Sequence, residues 1–363
     1  MQAVEWRVLA INPGSTSTKI AVYANERAEL VRYLDHSESE MEQFRGRPIL
    51  DQLEFRQSHI ERELNEAGYR LEQFDAVVGR GGLMRPVASG AYRVNQAMLE
   101  DLRSTLYGEH ASNLGAFLAL AIGEKAGAEA FIVDPVSVDE FTETARISGS
   151  ALVDRQCLSH ALNTKAVAKR YAREQGRTYA ELRLVVAHLG SGISVSAHEG
   201  GKMIDVNVAG QEGAFAMDRS GGLQIQKVIQ LCFSGKYTEK QLWNVLNREG
   251  GVYSYLGTKD LREVERRIEA GDGQAALIFD AMVYQTAKDI GAMATVLNGR
   301  VDAVLLTGGM ARSEKLVQKL RDATEWIGPV TVYPGEDELQ ALAEGAMRVL
   351  SGEEKARELE QVV

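Results

Sequence analysis

The chain of 363 residues is longer than one ordinary hydrophobic core requires, which predicts two domains. Hydrophobic residues make up 45% and charged residues 25% of the chain, a composition typical of a soluble globular protein. The formal net charge of −10 excludes a general attraction for nucleic acid or anionic membranes, so we expect no partner of either kind. An anionic ligand must therefore be held by a few placed cations.

Targeting and redox signals are weak. Cys157 and Cys232 lack metal-ligand spacing and predict neither a metal site nor a disulfide framework. The first residues do not follow the pattern of a signal peptide, and no apolar run approaches the ~20 residues that span a bilayer. We therefore expect a cytoplasmic protein.

Short apolar stretches bounded by turn residues predict strands in both halves of the chain. In chain order these are Val8–Ile11, Lys19–Tyr23, Leu30–Leu34, Ala76–Val78, Ala91–Val94, Phe131–Val133, Leu184–Ala187, Ile193–Ala197, Met203–Val206, Ala303–Leu306 and Val330–Val332.

Helical periodicity and capping residues predict helices between these strands. They cover Asp51–Ala67, a segment capped by Ser112 and reaching about Ala126, one from Ser159 to near Gly176, one opened by a Thr238/Gln241 capping box, a long one from Asp272 to Asn298, one from Ser313, and about Asp337–Ser351. We expect the charged tail from Gly352 onward to be a solvated helix end.

Hairpins followed by helices, occurring twice, predict an α/β fold with mixed sheets. The break is expected in the small and polar stretch Ser148–Arg155. Residues 1–150 with about 337–363 would form the first domain, and 151–336 the second. The last helix would thus return to the first domain.

One local pattern occurs in both halves. Residues 8–23 and 184–197 each read as an apolar strand, a turn rich in glycine and hydroxyl groups, and a second strand. Asn12-Pro13-Gly14-Ser15 aligns with His188-Leu189-Gly190-Ser191. Such turns can direct backbone N–H groups at a phosphate, although Asn-Pro-Gly-Ser is also ordinary hairpin chemistry.

Isolated polar residues stand where glycines or strand ends surround them, and each has an ordinary structural alternative. Arg80 and Arg219 are either anion ligands or solvated loop residues, and Asp134 after the strand FIVD is either a metal-facing carboxylate or a turn residue. The remaining candidates are His110 and His160 as catalytic or capping residues, His188 as a ligand or a core residue, Gly308-Gly309 as a ligand-contacting or a tight turn, and Glu338 as a site residue or a helix-dipole partner.

Taken together, these residues resemble the acetate and butyrate kinase family of the acetate kinase, sugar kinase, Hsp70 and actin superfamily. INPGSTSTK near the start, HLGSGIS in the second half and the late TGG carry the resemblance, which runs from about Val8 to Leu350. The stretches VGRGGL, YGEHASNLGA and VDPVSVDE resemble the butyrate kinase branch. Acetate kinases carry HGGE-like and HNPPN-like stretches where Gly81-Gly82-Leu83 and Glu109–Asn113 stand here, which leaves the role of His110 open.

The resemblance implies two duplicated actin-like (ribonuclease H-like) domains with a cleft between them. By family pattern, Arg80, Asp134, His160 and Arg219 would be catalytic, and Asp134 and Glu338 would anchor Mg²⁺. The residues implied to bind phosphate or nucleotide are Asn12, Ser15, Ser17, Lys19, His188, Gly190, Ser191, Gly192, Gly308 and Gly309.

The implied reaction is reversible, direct phosphoryl transfer between ATP/ADP and a short-chain carboxylate, with butyrate and butyryl phosphate as the expected pair. Kinases for isobutyrate, propionate or acetate remain alternatives, since one methylene contributes only ~1–3 kcal/mol to discrimination. Pro86, Val87 and Leu114 are candidates for the acid pocket. A nucleotide-switch protein of the same superfamily is a more distant alternative. A homo-oligomer is expected, with the aromatic stretch Leu231–Leu256 as a candidate interface or an ordinary core.

Overall fold

The computed structural model describes residues 5–361, and its contacts divide them into two compact units. One unit is the chain up to Asp139 together with the stretch from Asp337 onward, and the other is Glu140–Glu336. The division falls at Asp139/Glu140, whereas the loop composition had suggested Ser148–Arg155. The segment after Glu140 is already bonded into the second unit, because Thr142 N–H donates to the Ile204 carbonyl.

The first unit contains a six-stranded mixed sheet. Its strands are β1 (Arg7–Pro13), β2 (Ser17–Ala24), β3 (Arg27–Asp35), β4 (Ala76–Arg80), β5 (Ala91–Arg93) and β6 (Glu129–Val133). The spatial order is β3-β2-β1-β4-β6-β5, with β1, β4 and β6 parallel and β2, β3 and β5 antiparallel to their neighbours.

The helices of this unit are α1 (Glu38–Glu42), α2 (Leu53–Glu66), α3 (Gln96–Ser104), α4 (Leu114–Ala126) and, at the end of the chain, α13 (Glu338–Leu350). Alternate β1 residues such as Leu9 and Ile11 pack with α2 and α4 in one apolar cluster. Helix α13 packs on β1, β4 and β6, and Gly345 allows this because a Cβ there would lie 2.5 Å from a methyl of Val133. The carboxyl ends of the parallel strands thus lie next to the first turn of α13.

The second unit repeats this plan with a five-stranded sheet. Its strands are β7 (Leu184–Leu189), β8 (Ile193–Glu199), β9 (Lys202–Val208), β10 (Ala303–Gly308) and β11 (Val330–Pro334). The order β11-β10-β7-β8-β9 reproduces the arrangement of β6, β4, β1, β2 and β3. This repetition confirms the predicted fold class of two duplicated actin-like α/β domains with mixed sheets.

The helices of the second unit are α5 (Glu143–Arg146), α6 (Ala161–Glu174), α7 (Ile225–Cys232), α8 (Glu239–Asn247), α9 (Gly251–Leu256), α10 (Leu261–Glu269), α11 (Gly273–Val296) and α12 (Glu314–Thr324). Leu184 and Val186 of β7 pack with α6, and the alternating Val185 and Ala187 pack with α11. Every strand predicted from the sequence lies within one of the observed strands, except that the predicted Ala91–Val94 extends one residue beyond β5.

Capping predictions had mixed outcomes. The Thr238/Gln241 capping box of α8 is present, and Asp272 and Ser313 cap α11 and α12 as predicted. Ser112 and Ser159 do not cap α4 and α6. Ser112 lies within a 3₁₀ turn before α4, and α6 has His160 at its N-cap with no side-chain capping bond.

The tail was predicted wrongly as a solvated helix end. Arg357 forms an isolated parallel bridge with Tyr92 of β5, its N–H donating to Ala91 and its carbonyl accepting from Arg93. Leu359 is buried in the cluster that contains Met98. The mostly charged sequence of the tail does not indicate the backbone pairing of Arg357 or the burial of Leu359. Among the described helices, none is both long and apolar enough to cross a membrane.

Candidate active site

Three polar side chains of the first unit meet at the carboxyl ends of its strands. Asn12 is the penultimate residue of β1, Arg80 ends β4, and Glu338 begins α13. Glu338 Oε2 accepts hydrogen bonds from Asn12 Nδ2 at 2.5 Å and from Arg80 Nη1 at 2.9 Å. Asn12 Oδ1 lies 3.5 Å from the same Arg80 nitrogen. We call these three residues the Asn12–Arg80–Glu338 cluster.

The local fold explains why this cluster can form. Glu338 is buried, and its carboxylate lies in the first turn of α13, where the helix dipole favours a negative charge. Helix α4 begins directly against the end of β4, since a Cβ on Gly115 would lie 2.1 Å from the Arg80 carbonyl oxygen. The arginine side chain is partly exposed, so one guanidinium can hold Glu338 and still face an anionic ligand.

Arg56 of α2 forms hydrogen bonds that hold the predicted phosphate turn at residues 12–19. Sequence reasoning missed this residue. Its guanidinium donates to the carbonyls of Ser15 and Ser17 and to the hydroxyl of Thr18. Ser15 is exposed and Ser17 half-buried. Lys19 instead places its ammonium group over the ring of Tyr33 in β3, 5.4 Å from the ring centroid.

His36 lies beside the same turn. Its Nε2 is 2.9 Å from the Thr18 hydroxyl, and its backbone N–H donates to the Thr16 carbonyl. Burial, followed by the nearby charge of Arg56, lowers the pKa of His36 to about 4. The imidazole is therefore neutral at physiological pH.

Asp134 follows β6 in a left-handed conformation, with φ of 39°. Such a conformation is uncommon outside glycine and persists where surrounding bonds enforce it. Its Oδ1 accepts from the Ser89 hydroxyl at 2.5 Å and from the Gly90 N–H at 2.8 Å. The carboxylate is thus buried and fixed at the strand end where the sequence predicted it.

The second unit brings the two predicted histidines together. The rings of His160 and His188 stack with centroids 4.0 Å apart and planes 12° apart. His188 Nδ1 lies 2.9 Å from the Asn163 side-chain oxygen, and its Nε2 lies 3.2 Å from a Glu336 carboxylate oxygen. Both ring nitrogens of His188 thus lie against oxygen atoms, which fixes the orientation of the ring. His160 Nδ1 lies 3.0 Å from the Ser194 hydroxyl.

The glycines of the second turn make room for the side chains of His188 and Arg219. A Cβ on Gly190 would lie 2.9 Å from His188 Nε2, and one on Gly192 would lie 2.9 Å from an Arg219 nitrogen. Arg219 donates to its neighbour Asp218 at 3.0 Å and is about one-third exposed. Ser191 is exposed at the tip of the turn. The side chains of His188 and Arg219 thus lie directly against the two glycines of this turn.

Gly308 and Gly309 have different roles. Gly308 has a φ of 93°, and a Cβ there would lie 2.4 Å from the Leu189 carbonyl oxygen. It permits the close approach of β10 to β7. Gly309 has open space around it and lines a cavity of about 920 Å³ with Lys259, Arg262 and Arg312 among its other walls.

His110 has the capping role that the sequence left open. It precedes the 3₁₀ turn Ala111–Asn113, and its Nδ1 accepts from the Ser112 N–H at 3.2 Å. Its side chain is exposed.

Sequence reasoning missed Arg56, Asn163 and Glu336. Asn163 lies in the first turn of α6, three residues after the N-cap His160. This spacing places both residues on the same side of the helix, so the sequence could have indicated that they share a site. Glu336 stands two residues before Glu338 in an acidic run, which also offered one. Arg56 offered none, since its partners lie about 40 residues earlier in the chain.

The chain is similar to known kinases over nearly its whole length. Residues 151–351 match the Acetokinase family. Butyrate kinase 2 from Clostridium acetobutylicum is 48% identical over 355 residues, covering 98% of this chain and 99% of that protein. Butyrate kinase 1 from the same organism is 49% identical over 354 residues, covering 97% of this chain and 99% of that protein.

Solved structures give the same fold. The acetate kinase from Porphyromonas gingivalis superposes with a TM-score of 0.74 at 20% identity, covering 95% of this chain and 100% of that one. The propionate kinase from Francisella tularensis gives 0.69 at 19% identity, covering 93% and 98%. Together with the sequence relatives, these similarities identify this chain as a member of the acetokinase family.

Proposed function

We propose that this protein is a carboxylate kinase that converts butyrate and ATP reversibly into butyryl phosphate and ADP. The observation that carries the proposal is the 48–49% identity to two butyrate kinases along nearly the entire chain. Two arginines beside glycine-rich turns, Arg80 and Arg219, support it, because phosphoryl transfer needs positioning and charge stabilisation more than covalent chemistry.

The reaction is an in-line displacement. A butyrate oxygen attacks the γ-phosphorus of ATP, the bond to the β,γ-bridging oxygen breaks, and its electron pair leaves with ADP. A carboxylate is already ionised at neutral pH, so no strong general base is needed. This agrees with a residue set of arginine, histidine and carboxylate without a nucleophile–base pair.

We assign Arg80 and Arg219 to the anionic groups that react. Arg80 is oriented by Glu338 and would bind the carboxylate or the transferred phosphoryl group, while Arg219 packs over Gly192 and would bind the phosphoryl group from the second unit. Both would reduce the repulsion between two anions and stabilise the charge of the transition state.

The stacked histidines and the second turn would bind the nucleotide phosphates. His188 is held by Asn163 and Glu336, and His160 by Ser194, so both rings are oriented before any ligand arrives. The cavity at Gly309 is large enough for adenosine and has a glycine wall that a flat ring can approach.

Asp134 and Glu338 are the residues we assign to Mg²⁺, directly or through water. They offer hard oxygen ligands, and Asp134 is fixed by Ser89 and Gly90. Within residues 5–361 no three His, Cys, Asp or Glu side chains group as a metal site, which fits an ion that completes its shell with water and phosphate. Bound Mg²⁺ would neutralise charge on the phosphate oxygens.

A hydroxamate assay tests the function. Purified protein is incubated with ATP, Mg²⁺, hydroxylamine and one acid of two to five carbons, including isobutyrate, and acyl hydroxamate is measured. We expect the highest kcat/KM with butyrate. No hydroxamate from any acid would refute the kinase proposal, and an equal kcat/KM for acetate would refute the preference for butyrate alone.

We also propose that the protein forms a homo-oligomer through the segment around α7, at the start of the expected Leu231–Leu256 interface. Helix α7 has no buried residue, and Ile225, Ile229 and Phe233 are 73%, 51% and 87% exposed. Exposed apolar side chains that recur every four residues along one helix face are typical of an interface. Light scattering should show that Ile229→Glu lowers the molar mass. An unchanged mass would contradict this interface.

We place the reaction in the cytoplasm, where ATP is supplied. Cys232 is an exposed free thiol, and Cys157 is buried. Exposed free thiols are compatible with a reducing compartment.

A further inference from the structure

The side chain of Arg56 lies fully buried beneath the first phosphate turn. Nη1 donates to the Ser17 carbonyl at 2.8 Å and to the Thr18 hydroxyl at 2.9 Å, and Nη2 donates to the Ser15 carbonyl at 3.1 Å. Nε and Nη2 both donate to Gln52 Oε1 on the preceding turn of the chain. Every one of these acceptors is a neutral oxygen.

These bonds fix the direction in which the turn presents its peptide groups. The Ser15 and Ser17 carbonyls face Arg56, and the Thr16 carbonyl between them accepts from the His36 N–H at 2.9 Å. In a trans peptide the C=O and N–H groups point in opposite directions, and the described chain contains no cis peptide. The N–H group of Thr16, which shares a peptide plane with the Ser15 carbonyl, therefore points away from Arg56, as an anion-binding turn requires.

The charge of Arg56 is not offset by an acid. Among residues 5–361 the structure pairs no carboxylate with this guanidinium, and burial lowers its pKa to about 10, so the group stays protonated at neutral pH. A buried positive charge next to the turn acts through a medium of low polarity, where electrostatic interactions are stronger than in water.

We propose that Arg56 is a positioning residue for phosphoryl transfer, which orients the Thr16 N–H group of the Asn12–Lys19 turn and supplies a buried positive charge behind it without contacting the substrate. The inference rests on the proposed function, since it assigns the transferred phosphoryl group to this turn. It differs from the roles of Arg80 and Arg219, which face the ligand themselves.

The test compares Arg56→Met and Arg56→Lys with the wild type in the direction butyryl phosphate plus ADP to ATP. Loss of the charge should raise the KM for butyryl phosphate by at least about tenfold and leave the KM for ADP unchanged. Arg56→Lys should give an intermediate KM. Lysine keeps the positive charge, but it lacks the planar guanidinium that donates to the Ser15 and Ser17 carbonyls at the same time. A purely structural role would reduce the amount of active protein without changing either KM.

Arg348→Met is the matched control. Arg348 lies in the same unit with its side chain about one-fifth exposed, and it is bonded to the carboxylate of Glu354 at 2.9 Å. It is ten residues, or about 15 Å along α13, from Glu338. We expect this variant to lose stability and to keep the wild-type KM for butyryl phosphate.

A wild-type KM for butyryl phosphate in Arg56→Met overturns the proposal, and so does an Arg56→Lys KM no better than that of Arg56→Met. If Arg56→Met does not fold, Arg56→Lys decides alone, and an unchanged KM overturns the proposal. If the wild type makes no ATP, the proposed function fails first. Calorimetric titration with inorganic phosphate then tests Arg56, and equal binding by wild type and variant overturns its role.

Discussion

Arg80 donates a 2.9 Å hydrogen bond to Glu338, although 258 residues separate them in the chain. The bond joins the end of β4 to the first turn of α13, and Asn12 at the end of β1 donates to the same carboxylate oxygen. Because Glu338 is buried, its charge requires these partners. The carboxylate orients the arginine that we assign to the reacting anion.

Glu338→Gln should therefore reduce kcat/KM for butyrate by about two orders of magnitude, because Arg80 loses the charge that orients it. The unfolding free energy should fall by about 1–3 kcal/mol because the charged hydrogen bond to Arg80 is weakened. The loss stays within this range because the partly exposed Arg80 can form hydrogen bonds with water instead. Steady-state kinetics and urea unfolding measure the two effects. Glu63→Gln, which removes the acid from the exposed Arg32–Glu63 pair, is the control. Wild-type kinetics in Glu338→Gln would contradict the assigned role.

Arg219→Ala should abolish turnover and leave the fold intact. The side chain is about one-third exposed and its hydrogen bond goes to the adjacent Asp218, so its removal should change the unfolding free energy by only about 0.5 kcal/mol. Coupled ADP-release kinetics and thermal unfolding check both statements. Retention of more than a tenth of the wild-type kcat would remove Arg219 from the reaction.

Gly308 and Gly309 form a matched pair of adjacent glycines. Gly308→Ala places a Cβ 2.4 Å from the Leu189 carbonyl at a φ of 93°, so we expect a loss of at least about 3 kcal/mol in stability. Gly309→Ala meets no neighbour within 4 Å and should fold normally while raising the KM for ATP. An unchanged KM for ATP in Gly309→Ala would contradict the adenosine site, and wild-type stability in Gly308→Ala would contradict the packing argument.

His36 should make stability depend on pH. Its folded pKa of about 4 lies below its ordinary value of 6.5, because burial, Arg56 and His59 lower it more than the nearby Glu40 and Asp35 raise it. The unfolded chain therefore binds a proton between these values that the folded chain does not, and stability falls as pH drops from 6.5 towards 4. The loss is at most about 3 kcal/mol, because one pKa unit corresponds to 1.36 kcal/mol.

Urea unfolding of wild type and His36→Gln between pH 8 and 4 measures this contribution as the difference between the two curves. The curves should run parallel above pH 7, and the wild type should lose additional stability below it. Carboxylate titrations are common to both proteins and cancel. Parallel curves over the whole range would show that His36 is not held neutral.

The strands of both units were predictable because each is a short apolar run between turn residues. The face of α11 was predictable too, since Phe279, Met282 and Ile290 recur at helical spacing and are buried. The His160–His188 stack required the fold, because β7 and α6 approach only through tertiary packing. Arg56 was unpredictable for the same reason, as a polar residue on a helix gives no local sign of buried partners.

The most direct test of the account is ATP synthesis from butyryl phosphate and ADP by the wild type, Arg80→Ala and Arg219→Ala. Luciferase luminescence reports the product, and circular dichroism verifies the fold of each variant. We predict rapid, Mg²⁺-dependent ATP formation by the wild type and its loss in both variants. No ATP from the wild type, or wild-type rates in both folded variants, would contradict the account.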